Sequence, residues 1–133
     1  MDVTFQVLKA VDYLHKRKIA HLAIRPENVN IMNNNDLSNV KLSEFGLAEK
    51  MTTSVMLKSI AETAYTAPEL KRKRLMSLKS DIFSCGMLLC YTLLGYNPHE
   101  KWRINAFSSS SRWSIKELLT KAGISDDTRD LVA

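Results

Sequence analysis

Two thiols and a run of four cations are the groups whose type and spacing first suggest chemistry. Cys85 and Cys90 lie five residues apart in one apolar stretch, on different faces of a helix, with no histidine nearby. Metal chelation and disulfide formation both need side chains that converge. Neither is expected here, and buried thiols in a reducing cytosol are the better reading. Lys71-Arg72-Lys73-Arg74 is the densest charge in a chain of net charge +5. Such a tetrad can hold a phosphate backbone or an importin. No aromatic residue is interleaved with it to stack on bases, so the run reads as a solvated face beside a turn.

These groups need elements to hold them. The 133 residues fit one domain. With 45% apolar and 25% charged residues, the chain has the balance of a globular protein that buries a core. The N-terminus carries Asp2, Thr4 and Gln6 where a secretory leader would have an apolar run behind basic residues. The longest apolar stretch, 82–94, is broken by Ser84, Gly86 and Thr92. It falls short of the ~20 residues of a membrane span and predicts a buried core helix. Val3, Val7, Leu8, Val11 and Leu14 have helical spacing over 3–15, with Asp2 or Thr4 as candidate cap. Val29-Asn30-Ile31-Met32 and Val40-Lys41-Leu42 predict a hairpin around the polar turn Asn33-Asn34-Asn35-Asp36. Residues 47–66 show no period and many Thr and Ser, which predicts a loop. Pro68 should open a short helix. Residues 79–95 should form a central helix, apolar on most faces and ended by Gly95. Ser114 with Glu117 matches a capping box for a helix running to Gly123. Ser125-Asp126-Asp127 would open a last helix that stops almost at once, at Ala133, as in a truncated domain.

Five landmarks then appear in fixed order. They are His21-Leu22-Ala23-Ile24-Arg25-Pro26-Glu27-Asn28, Glu44-Phe45-Gly46-Leu47-Ala48, Ala67-Pro68-Glu69, the run from Ser80-Asp81 to Gly86, and Ile124-Ser125 through Asp130-Leu131. The first resembles the protein-kinase catalytic loop H-R-D-L-K-P-E-N. The others resemble D-F-G-L-A, A-P-E, S-D-x-W-S-x-G and the late I-S-x-x-x-x-D-F run of calcium/calmodulin-type kinases. Together they cover nearly the whole chain. The resemblance implies a mainly α fold with a small β-hairpin: a protein-kinase-like large (C-terminal) lobe, truncated at both ends. Its catalytic loop would be 21–28, its E-F-G 44–46, its activation segment 44–69 and its central helix 79–95. Within the superfamily, the E-F-G form and Gly95-Tyr96-Asn97-Pro98 resemble the giant muscle kinases titin and obscurin and their Trio-like relatives.

The same resemblance puts chemistry in question. Phosphoryl transfer needs a positioned hydroxyl and metal ions on the phosphates. The family's base aspartate would stand where this chain has Ala23, and a methyl group can neither orient nor accept a proton. Arg25 replaces the loop lysine, a planar guanidinium in place of a compact ammonium. Asn28 matches the metal-binding asparagine, and Glu44 replaces the D-F-G aspartate with one methylene more. Both are candidate magnesium ligands, the alternative being that Asn28 braces the loop and Glu44 is surface charge. Asn30 falls where the family carries an apolar floor under adenine, so Asn28 and Asn30 are the candidate cofactor-binding positions. His21 and Phe45 match a stacked column that joins two lobes. Asp81 matches an aspartate that receives backbone N–H groups of the catalytic loop. Glu69 matches an anchor that pairs with an arginine near the domain's end; that position would fall beyond Ala133, so Glu69 is expected to be unpaired here. Leu22 replaces the arginine that holds a phosphorylated activation loop, and Tyr65 is expected to pack near Ala23. The glycine-rich loop, the V-A-I-K lysine and the helix carrying its glutamate would all precede Met1.

The function expected on this basis is a pseudokinase segment, a scaffold or interaction module of a larger protein. Its partners would be other proteins, cytoskeletal or sarcomeric, in the cytoplasm, without membrane or nucleic acid. No cofactor is expected for the chain alone; ATP and magnesium would be used if the full domain is competent. The alternative is a weak or atypical Ser/Thr protein kinase when joined to a small lobe. A third reading is a truncation product without function alone.

Overall fold

The computed structural model describes residues 3–33, 37, 39–52, 56, 62–97, 120 and 123. The chain divides into two compact units, Met1–Leu88 and Leu89–Ala133. In the first, helix α1 (Val3–Lys16) leads to strand β1 (Ile19–Ala20). A 3₁₀ turn (Pro26–Asn28) then opens directly into β2 (Val29–Ile31), which is followed by β3 (Val40–Leu42). A second 3₁₀ turn (Phe45–Leu47), β4 (Glu49–Lys50), α2 (Pro68–Lys73) and α3 (Leu78–Leu94) complete the order; α3 runs on into the second unit.

Helix α1 forms where the spacing predicts it. Thr4, Val7 and Val11 are its buried face, at i, i+3 and i+7. Thr4 lies inside the helix and is not its cap; Asp2 is outside the described residues. His15 and Lys16 in the last turn suit the negative end of the helix dipole. The helix packs on β1 and β3. The hairpin is real and in the expected place, with Val29 opposite Leu42, Asn30 opposite Lys41 and Ile31 opposite Val40. The Gln6 side chain ties it to α1: its amide donates to the Leu37 carbonyl and its oxygen accepts from Val40 N at 3.1 Å.

The start of the predicted 47–66 loop is wrong. Glu49–Lys50 pairs antiparallel with Ile19–Ala20. A two-residue strand has no side-chain alternation to read, and its register comes from backbone bonds alone. Further along, Met56 bridges to Leu75. Helix α2 begins at Pro68 as expected and ends on Arg74 in the left-handed region, whose N–H closes on the Leu70 carbonyl at 3.1 Å.

Three clusters of buried side chains meet on α3. Cys85 and Leu88 join Val7, Val11 and Ile24, with Val29, Val40 and Leu42 at the margin. Ala20, Leu22, Ala67, Leu70 and Met76 form a second cluster beside Leu78 and Phe83. Met87 packs with Ala64 and Tyr65 in a third. The helix is less enclosed than expected, since Ile82 and Tyr91 stay exposed. In the second unit α3 ends at Gly95, which takes φ 72° and bonds back to the Tyr91 carbonyl at 2.9 Å. The capping-box helix predicted over 114–123 and the last helix from Ser125 lie outside the described residues, apart from helical Thr120 and Gly123 at φ 74°. No helix among the described residues is long and apolar enough to cross a membrane.

Both cysteines are free and buried. Burial, then the nearby Asp81 charge, pushes the Cys85 thiol up to about 12; burial pushes Cys90 up to about 11. The thiolate is the reactive form. Neither thiol should therefore react with an aromatic disulfide reagent at pH 8 in the native chain, and both should react once it is unfolded in urea. Rapid native labelling of either would contradict the packing of α3.

Candidate functional site

The loop 21–28 is built around one carboxylate. Asp81, fully buried on the first turn of α3, accepts His21 N and Leu22 N at 2.8 Å each, one on each oxygen. Its Oδ2 also accepts from His15 Nε2 at 2.9 Å. A carboxylate only accepts, so Nε2 of His15 carries the proton. These bonds hold Leu22 at φ 63°, a left-handed conformation that a branched side chain adopts at a cost of about 1–3 kcal/mol. The turn reverses the chain so that Leu22 enters the second cluster and Ile24 the first.

Asn28 closes the loop from the other end. It is buried, and its Nδ2 donates to the Ala23 carbonyl at 2.7 Å. Its own carbonyl accepts from Ser43 N at 2.9 Å, which joins the loop to the strand preceding Glu44. Pro68 and Pro26 play matching parts, each opening a helical turn whose first N–H needs no partner.

His21 is a core residue. Its ring meets Phe45 edge-on, with centroids 4.6 Å apart. Its Nδ1 accepts from Ala23 N at 3.3 Å. Burial lowers its pKa below 6.5, with the Asp81 charge and the Ser43 backbone carbonyl pulling the other way. The sign of the resulting pH dependence follows. Between the folded pKa and 6.5, the unfolded chain binds more protons than the folded chain, so stability is lost as pH falls through that window. Urea midpoints should rise from pH 5 to pH 7, with a slope from this group of at most about 1.4 kcal/mol per pH unit. His21→Asn should flatten that slope; an unchanged slope would show that another group titrates.

Glu44 and Asn30 are placed differently from Asn28. Glu44 sits at φ 61°, exposed, at the head of the Phe45–Leu47 turn. Asn30 is on the exposed side of β2, while Val29 beside it packs on the core. Arg25 adopts extended backbone before the Pro26 turn, and its Nε is 3.9 Å from a Glu27 oxygen. Glu69 is not unpaired: its Oε1 accepts from Ser80 Oγ at 2.8 Å. The sequence reading missed this partner, and it missed His15. The Tyr-Leu-His run at the end of α1 was the available signal for the latter.

Ala23 and Arg25 share a cavity of about 80 Å³ with Leu47, Thr63, Tyr65 and Leu70 among its walls. Tyr65 is thus near Ala23, as expected from its position. Among the described residues, no three His, Cys, Asp or Glu side chains cluster as a metal would need.

The protein kinase domain family matches residues 1–132. The chain belongs to that family. The mouse death-associated protein kinase 2 is 36% identical to this chain over 95 residues, 70% of this chain and 26% of the relative. A probable myosin light chain kinase of Dictyostelium discoideum is 34% identical over 116 residues, 86% of this chain and 22% of the relative. The chain therefore spans about a quarter of the length of these relatives, which agree with the expected calcium/calmodulin-kinase group. Among solved structures, the yeast RNA Pol II CTD kinase CTDK-1 complex superposes with a TM-score of 0.77, covering 98% of this chain and 53% of that one, at 20% identity. That likeness shows the protein-kinase-like fold.

Proposed function

We propose that this kinase domain segment is the large-lobe half of a pseudokinase and works as a docking module of a larger protein. The observation that carries the reading is Ala23. Its carbonyl is gripped by Asn28 and its amide by His21, so the loop is held as a catalytic loop would be, yet the side chain offered to the cavity is a methyl group. A missing general base costs about 10²–10⁴ in rate. Leu22 points into the core, where no phosphorylated segment could reach it. Its partners are proteins, cytoskeletal or sarcomeric if the likeness to titin, obscurin and Trio-like kinases holds, and its compartment is the cytoplasm.

A second reading, a weak Ser/Thr kinase, has one observation in its favour. Glu44 keeps a solvent-facing carboxylate and Asn28 keeps a side-chain oxygen that no bond within the loop consumes. Those two oxygens fit a magnesium ion held jointly with nucleotide phosphates, and not one held by protein alone. ATP and magnesium would supply the phosphoryl group and neutralise its charge. The test is phosphate transfer from Mg-ATP to Ser/Thr peptides by the natural protein containing this segment. No transfer above background is expected. Turnover that disappears in Asn28→Ala would overturn the pseudokinase reading.

A further inference from the structure

The cavity over Ala23 is lined by hydrogen-bond donors. Arg25 lines it, and the guanidinium Nε is shielded from solvent without a hydrogen-bond partner among the described residues. Glu27, at 3.9 Å, is beyond hydrogen-bond reach. The Arg25 side chain as a whole is 39% exposed, so its other N–H groups reach solvent, and a guest oxygen at Nε would gain one charge-assisted hydrogen bond.

The hydroxyl pair Thr63 and Thr66, also on the wall, adds a second donor. Their oxygens are 3.1 Å apart. Thr66 Oγ1 already accepts from Thr63 N at 2.9 Å, and Thr63 Oγ1 accepts from Tyr65 N at 3.2 Å. Each hydroxyl has one proton, and only one proton can occupy the bond between them. Among the described residues, the other is left to donate. Ser84, a further wall residue, spends its proton on the Tyr65 and Ser80 carbonyls. Leu47 and Leu70 add apolar wall, and no acidic side chain among the described residues lines the cavity.

We propose that this cavity is a carboxylate-binding pocket, in which Arg25 and the spare Thr63/Thr66 hydroxyl proton hold the two oxygens and the Ala23 methyl group leaves the room. A water needs about 10–15 Å³ of such volume, so about 80 Å³ admits a group several times that size. Two oxygens on one carbon match one guanidinium N–H and one hydroxyl, and the apolar wall suits the short alkyl stem behind them. The carboxylate has two possible sources, an Asp or Glu side chain of a docked polypeptide or a free small acid. The inference rests on the docking reading of this site and names the chemistry that would be docked.

The test is a titration of the purified chain followed through arginine Nε–Hε NMR signals. Sodium acetate should shift one signal saturably, with a dissociation constant around millimolar for so small a ligand. That signal should be the one lost in Arg25→Lys. Ala23→Asp, which fills the pocket with a tethered carboxylate, should abolish the response while the rest of the spectrum stays native. N-acetyl-aspartyl methylamide binding at least threefold more tightly than acetate, with its asparaginyl counterpart silent, would identify a polypeptide side chain as the source. Acetate binding as tightly or more tightly would identify a free acid. No saturable shift, an equal response to chloride or sulfate, or an undiminished response in Ala23→Asp would each overturn the pocket. Failure here leaves the phosphate-transfer result untouched, and phosphate transfer by the natural protein would overturn the pseudokinase reading without altering this titration.

Discussion

Asp81→Asn should cost the chain about 3–5 kcal/mol, the largest loss expected from any single isosteric change in it. The carboxylate is fully buried and serves three donors, two backbone N–H groups and His15. An amide of the same shape keeps one acceptor oxygen and turns an NH₂ group toward donors. Breaking a buried charged network by removing one partner typically costs about 3–5 kcal/mol. Against a usual domain stability of about 5–15 kcal/mol, that is a large fraction. The loss should appear as a lower urea midpoint with an unchanged m-value. His15→Gln separates the network's parts. It removes one donor and leaves both backbone bonds, so it should cost only about 1 kcal/mol. Two equal losses, or an Asp81→Asn change under about 1 kcal/mol, would mean the loop is not braced through Asp81. The strained turn at Leu22 adds a local sign: with its N–H released, the backbone of 21–23 should exchange amide protons faster than α1 does.

Much of this scaffold was legible in the sequence. Helical spacing found α1, the Gly95 stop found the end of α3, and the polar turn found the hairpin. The association of His21 and Leu22 with Asp81 spans about sixty residues. No local pattern carries such a contact, and only the likeness of ordered motifs made it readable. What escaped had weaker or no local signals. The β1–β4 pair is two residues long and chosen by backbone geometry. The Ser80 partner of Glu69 is one hydroxyl among many serines. The left-handed Leu22 violates its own propensity, which tertiary bonds override. The pocket over Ala23 draws its walls from five separate stretches, residues 22–25, Leu47, 63–66, Leu70 and Ser84, which no local pattern brings together.

Restoring one carboxylate and repositioning another should do more for activity than any other change. With the chain joined to a kinase small lobe, Ala23→Asp combined with Glu44→Asp should raise phosphate transfer to a Ser/Thr peptide by at least about 10²-fold over the same protein without the two changes. The reasoning divides the site into its two deficits. The 21–28 loop is already shaped: Asp81 fixes its start, Asn28 fixes its end, and Ala23 opens on a cavity where a carboxylate has room. A base placed there supplies about 10²–10⁴ by itself, provided the substrate hydroxyl reaches it. Glu44 is the other deficit. It stands at the head of a tight turn in a left-handed conformation, so its extra methylene cannot be absorbed by sliding the backbone. Shortening it brings the oxygens back toward the position expected of a magnesium ligand. Each single change should therefore yield less than the pair, since base and metal act on the same transition state and their effects are coupled. Rates that multiply as independent factors would argue that Glu44 already holds metal well. A double variant that stays silent while a thermal shift reports Mg-ATP binding would locate the defect elsewhere, with Arg25 in the lysine position the first residue to exchange.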